Sequence, residues 1–252
     1  MYMRIVEANI KKGQGTWLER VYEDSILHSL QETPGCVFAG LMYSIDSSNK
    51  YLSLTIWKSE KDAGNYVNSG EFTKNIELIN PVLEESIEWK IRLSKSDILE
   101  YEPVTVNPVV KSYPIFGNKN PMPDEIPVSN NYMRVLSLTL KPEHTDEFNS
   151  IYKEKILPEL KKVKGCKYAF LIEDTNKSNE ILSFTIWDNP ESIKEYETQG
   201  KFHSFLESIR HTLGELYQWK MSLEENSDSK KSVTSQDADI KTFTLVTGKN
   251  FI

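Results

Sequence analysis

Cysteine and histidine are scarce in this chain, long apolar runs are missing, and there is no surplus of basic charge. Two cysteines in 252 residues cannot supply a disulfide framework, which fits a reducing, cytoplasmic setting. A net charge of −7 leaves no basic footprint for nucleic acid. No segment approaches the roughly 20 consecutive apolar residues that a membrane helix needs. The opening MYMRIVEANIKKG has neither the apolar core nor the cleavage site expected of a signal peptide.

What is there is a repetition. Residues 2–93 align with residues 132–223 at a constant offset of 130, without a gap, and 29 of the 92 pairs are identical. Tyr2-Met3-Arg4 returns as Tyr132-Met133-Arg134, Gly35-Cys36 as Gly165-Cys166, and Thr55-Ile56-Trp57 as Thr185-Ile186-Trp187. Trp89-Lys90 returns as Trp219-Lys220. This period is far longer than a solenoid unit, so each copy is a small domain. Alone, a module of this size buries only a modest fraction of its surface. The expected organisation is a first module at 1–94, a linker at 95–131 and a second module at 132–223. A polar segment with a C-terminal strand follows at 224–252.

Each module begins with an apolar, β-branched stretch, Met3–Ile10 or Met133–Leu140. A helix follows, with the stripe Leu18, Val21, Tyr22, Ile26, Leu30 or Phe148, Ile151, Tyr152, Ile156, Leu160. Gly35 and Gly165 are expected to end it as C′ glycines. Two strands come next; in the second, Leu52, Leu54 and Ile56 alternate with Ser53, Thr55 and Trp57. A second helical region starts after the candidate N-caps Ser59 and Asn189, breaks near Gly70 and Gly200, and is followed by a last strand. The order βαββαβ is the α+β, ferredoxin-like split βαβ motif. Six of the chain's eleven prolines fall in Lys95–Asn131, as in an extended linker. Ile240–Thr247 reads as an additional strand that covers a sheet edge. Cys36 and Cys166, each behind a glycine, read as small buried thiols, and a bridge between them stays open.

Trp57-Lys58-Ser59-Glu60, Tyr66 nine residues after the tryptophan, and Ser69-Gly70-Glu71-Phe72 resemble the antibiotic biosynthesis monooxygenase family. The second module carries a looser version: Trp187, Pro190-Glu191, Tyr196, Gly200 and Phe202. The resemblance covers both modules. It implies that they pack as an intramolecular pseudo-dimeric α+β barrel, with further dimerisation open. It also implies a monooxygenase that needs no cofactor, acting on a small aromatic or quinone-like compound in an apolar pocket. The alternative is a non-catalytic binder of a small molecule such as haem or a quinone. Under the first reading Tyr66, Tyr196 and Asn9 are the candidate catalytic residues. Trp57, Phe72, Trp89, Trp187, Phe202, Trp219 and His203 are the candidate pocket.

The same resemblance argues against haem turnover. The tryptophan and histidine of haem-degrading relatives fall on Tyr66 and Ile76 in one module and on Tyr196 and Leu206 in the other, and their asparagine falls near Val6 and Leu136, with Asn9 three positions off and Thr139 its partner. The histidines His28, His144, His203 and His211 are matched by Pro158, Gln14, Thr73 and Pro81, so no symmetric histidine site exists. His203 and His211 are eight residues apart, unlike the four that place two ligands on one helix face. No metal is expected.

Overall fold

The computed structural model describes residues 1–47, 49–93, 99–105, 108–116, 131–173, 179–214 and 238–251. It divides into two compact units, Met1–Lys111 with Val246–Ile252, and Ser112–Leu245. In the first unit, strand β1 (Tyr2–Asn9) leads into helix α1 (Gly15–Val21), a π-helical turn (Tyr22–Ile26) and helix α2 (Leu27–Glu32). Strands β2 (Cys36–Ser44) and β3 (Lys50–Trp57) follow, then helices α3 (Glu60–Asn68) and α4 (Glu71–Ile79). Strand β3 lies between β1 and β2 and is antiparallel to both, with Tyr2 opposite Trp57 and Tyr43 opposite Tyr51. That arrangement is the split βαβ predicted from the pattern.

The helices cover one sheet face. Leu18, Tyr22, Ile26 and Leu30 pack with Ala39, Leu41, Tyr51 and Trp57 in one core. The π turn explains how they stay aligned. These four side chains recur every fourth residue, and on a straight α-helix each step of four drifts by about 40°. One wider turn absorbs the drift. Leu52, Leu54 and Ile56, on the alternate positions of β3, are buried as well.

Ser59 caps α3, its hydroxyl accepting from the Asp62 amide at 3.1 Å. Gly70, at φ +83°, separates α3 from α4. Gly35 has a different job from the one its position suggested. Helix α2 has already ended at Glu32, with Thr33 extended behind it. Gly35 lies in the turn into β2 at φ +84°, where a Cβ would overlap the Asp62 side chain.

The last strand of the module, β4 (Glu85–Leu93), forms, but it pairs with β5 (Leu99–Thr105) in a two-stranded sheet. Just before it, Leu83 bridges to Ile10 beside β1, and Glu84 N donates to Asn9 O at 2.9 Å. The stretch 95–131, expected as linker, thus contributes β5 and also β6 (Val109–Phe116). Pro103 stands in β5 in register with Trp89, in a sheet that has two strands among the described residues.

The second unit repeats the plan. Strand β7 (Tyr132–Thr139), helix α5 (Thr145–Ile151), a π turn (Tyr152–Ile156) and helix α6 (Leu157–Leu160) precede β8 (Cys166–Glu173) and β9 (Glu180–Trp187). Helices α7 (Pro190–Thr198) and α8 (Lys201–Ile209) follow, α7 capped by Asn189 and α8 preceded by Gly200 at φ +82°. Strand β9 pairs with β7 and β8, and β6 pairs with β8 through Ile115 and Ile172. The C-terminal strand β10 (Ala238–Asn250) runs antiparallel to β7, from Ala238 opposite Leu138 to Thr244 opposite Tyr132. It therefore covers the β7 edge, as an added strand should. Both cysteines are free thiols, and no helix among the described residues is long and apolar enough to cross a membrane.

Candidate functional site

Between the sheet and helices of the first module lies a cavity of about 50 Å³. That is room for roughly three to five waters. Its walls are mostly aliphatic: Val6 and Ala8 from β1, Leu18, Tyr22, Ile26 and Leu30 from the first helical stretch, and Ile76 and Ile79 from α4. Polar atoms converge on it from four elements. Ser53 and Thr55 come from β3, Tyr66 and Asn75 from α3 and α4, and Arg4 from β1. The serine and threonine of the alternating strand thus face inward, under the helices.

Tyr66 sits in a ladder of rings. Trp57 stacks behind it at 5.1 Å between centroids, and Phe72 meets it edge-on at 5.9 Å. The Asn75 amide donates to the Tyr66 hydroxyl at 2.9 Å and to Ser29 Oγ at 3.3 Å. Burial pushes the Tyr66 phenol up to about 12. Tyr66 is therefore protonated at neutral pH, with its own O–H still to donate, so it suits a hydrogen-bond donor and not a base. Tyr22 is tied to Ser53 at 2.8 Å, and burial raises its phenol further.

Arg4 is only 9% exposed, and its guanidinium lies over the Phe72 ring at 4.2 Å. Among the described residues it has no ion pair, and its Nε has no hydrogen-bond partner. Burial lowers its pKa below the ordinary value, the mark of a cation short of compensation.

The equivalent space in the second module is about 20 Å³, enough for about one water. The internal alignment shows why. Val6 is answered by Leu136, Ala8 by Leu138, Leu18 by Phe148, and Asn75 by Phe205. Each exchange adds carbon where the first module leaves room. Phe205 packs against Tyr196 at 6.2 Å, in place of the asparagine that would bond it. The arginine is kept but neutralised: Arg134 Nε meets Glu197 Oε1 at 2.7 Å.

The expected site residues divide accordingly. Tyr66 and Phe72 line the first cavity; Tyr196 and Phe202 line its smaller counterpart. Trp57 and Trp187 are fully buried one layer behind, each indole N–H donating to its neighbouring threonine, Thr55 or Thr185. They hold the tyrosines and do not face the cavity. Asn9 is at the end of β1, opposite Lys50, and is not among the cavity residues. His203 is exposed on α8, so its place in a pocket is corrected: one step past Phe202, it points off the buried stripe. Trp89 lies in β4, but its side chain, like all of Trp219, is outside the described residues.

Arg4 and Asn75 were not singled out from sequence. Arg4 stood in the repeated Tyr-Met-Arg triplet, and that retention was the available signal. Asn75 had none, because its counterpart is Phe205. His211 has a partner, but not His203: it and His144 both bond Glu147, at 3.0 and 2.8 Å, and hold that carboxyl below its usual range. All three are at the surface, and no group of three or more His, Cys, Asp or Glu among the described residues is placed to hold a metal ion.

Two ferredoxin-like modules in tandem, one keeping a polar-tipped apolar cavity between sheet and helices, define the class of protein. The antibiotic biosynthesis monooxygenase family model matches residues 1–78 and 131–208, and the chain belongs to that family. The search of curated proteins gave no match. Among solved structures, the chain is similar to a candidate monooxygenase from Fusobacterium nucleatum. Identity is 12%, coverage 99% of this chain and 94% of that one, and the TM-score 0.66. It is similar to a candidate monooxygenase from Lactobacillus acidophilus at 10% identity, coverage 99% and 95%, TM-score 0.62. An anthrone oxidase-like protein matches at 9% identity, coverage 99% and 92%, TM-score 0.62. At these identities the likeness is one of fold.

Proposed function

We propose that the first module oxygenates a small aromatic or quinone-like compound without a metal or flavin, and that the second module is catalytically silent. The observation that carries this is the asymmetry of the two cavities. One keeps about 50 Å³ with Arg4, Tyr66 and Asn75 at its polar end; the other is narrowed to about 20 Å³ by larger apolar side chains. The fold shared with an anthrone oxidase-like protein is consistent with that substrate class.

The chemistry needs no external reductant. A ring CH2 flanked by aromatic carbonyl and phenol groups loses a proton and gives an anion that reacts with O2. The proton goes to solvent; one oxygen atom then becomes the new carbonyl, the other leaves as water with the remaining CH2 hydrogen and a proton returned from solvent, and the substrate supplies all the electrons. Tyr66 donates its hydroxyl proton in a hydrogen bond to the anionic oxygen, and Arg4 stabilises the same charge. Both act in a dry apolar site, where such interactions are strongest. A cytoplasmic setting accords with the two free thiols.

Oxygen consumption with anthrones, naphthols and quinols, and mass analysis of the products, test this reading. Tyr66→Phe should reduce turnover by about 100-fold, the range for losing one oriented donor. Tyr196→Phe should leave turnover unchanged. Binding of these compounds without any oxygen uptake would instead identify a non-catalytic carrier.

A further inference from the structure

We infer that the ligand of the first module carries an anionic oxygen at neutral pH, and that this oxygen pairs with Arg4. The inference rests on the pocket reading above and adds the ligand's charge.

The two modules perform the comparison. Both place an arginine third in the repeated triplet, bury it, and set its guanidinium over a phenylalanine, at 4.2 Å for Arg4 and 4.3 Å for Arg134. In the second module a carboxylate, Glu197 on α7, closes on the guanidinium. The matching position on α3 is Val67. A buried cation without a counter-charge is costly, and a fold keeps one only where something offsets it. Each guanidinium keeps one buried nitrogen without a hydrogen-bond partner, Nε of Arg4 and Nη2 of Arg134, but only Arg134 has a carboxylate against it; the first cation borders the larger volume and the second the smaller. Glu197 thus shows what Arg4 lacks, namely one oxyanion. A phenolate, an enolate or an aromatic carboxylate supplies it, and the apolar walls and Tyr66 ring receive the planar remainder.

The test is binding to the full chain at pH 7, followed by calorimetry and by Trp fluorescence. The probes are two isosteric pairs, 2-naphthoate with 2-naphthamide and salicylate with salicylamide. The expected result is that each anion binds at least tenfold more tightly than its neutral partner, with the preference shrinking as salt is raised. Arg4→Met should abolish the preference while the amides bind as before, and Arg4→Lys should restore part of it. Val67→Glu supplies the missing carboxylate from within and should also abolish it. Arg134→Gln should leave it intact. Equal affinities for anion and amide would overturn the inference and leave the pocket standing. So would a preference that survives Arg4→Met. Failure of all four probes to bind would overturn the inference and the pocket reading together.

Discussion

Arg4 and Arg134 occupy the same place in two copies of one module, yet they should respond oppositely to mutation. Arg134 has its charge met by Glu197 at 2.7 Å, so Arg134→Met should cost about 1 kcal/mol. The figure is at the low end because Glu197 is a third exposed. Arg4→Met gives up a cation–π contact but relieves a buried charge of its desolvation. It should leave stability unchanged or raise it by up to ~1 kcal/mol. Urea melts of the two variants decide the matter: a loss at Arg4 equal to or larger than the loss at Arg134 would mean that Arg4 is structural. Retention of a residue whose removal stabilises the fold is the pattern of a functional site. The exchange of Asn75 for Phe205 belongs here too. A single side chain removes both the hydrogen bond to the tyrosine and part of the volume around it.

At the level of elements, the join between α2 and β2 is locked to the start of α3. Gly35 brings the chain into β2 at positive φ and lies against Asp62, whose amide the Ser59 cap receives. Lys58 N also donates to Gly35 O at 2.8 Å, so the two corners share their contacts. Gly35→Ala adds both backbone strain and overlap with Asp62, and should cost about 1–3 kcal/mol. Ser59→Ala should cost about 1 kcal/mol. Because both act through Asp62, the double variant should lose less than the sum, and strict additivity in thermal or urea melts would break the proposed coupling. The π turns are a second device of this scale. The repeated spacing of four in Leu18, Tyr22, Ile26 and Leu30 is visible in the sequence. A uniform α-helix would turn the last of these away from the cavity that the first one lines.

Across the whole molecule, each unit buries thiols and phenols whose ionisation the folded state opposes. Burial raises Cys36, Cys166, Tyr66 and Tyr152 to about 12, and it raises Tyr22 and Tyr196 as well. In the unfolded chain these groups ionise near their ordinary 9.0 and 10.0. The folded state therefore binds its protons more tightly. The resulting stability is whole below about pH 9 and drains away as pH rises toward 12. The urea midpoint should be flat from pH 7 to about 8.5 and fall steadily above it. A midpoint unchanged at pH 11 would contradict this burial. The proposed division of labour belongs to the same scale. With two modules in one chain, one can fill its cavity and serve the fold while the other keeps the open volume that a ligand requires.

The linear sequence determined the repeat, the βαββα run of elements that each module shows, and the caps at Ser59 and Asn189. Those features depend on residues near one another in the chain, or on hydrophobic periods that repeat within an element. Tertiary structure decided the rest. Strand β4 took β5 as its partner, the tryptophans went one layer behind the tyrosines, His203 faced outward, and Arg4 and Asn75 converged on Tyr66. It also decided that one cavity stayed wider than the other, because volume is the sum of side chains from β1, β2, β3 and the helical segments above them. No local pattern in the sequence records such a sum, since each exchange (Val6 for Leu136, Ala8 for Leu138) is unremarkable by itself and matters only where the side chains meet.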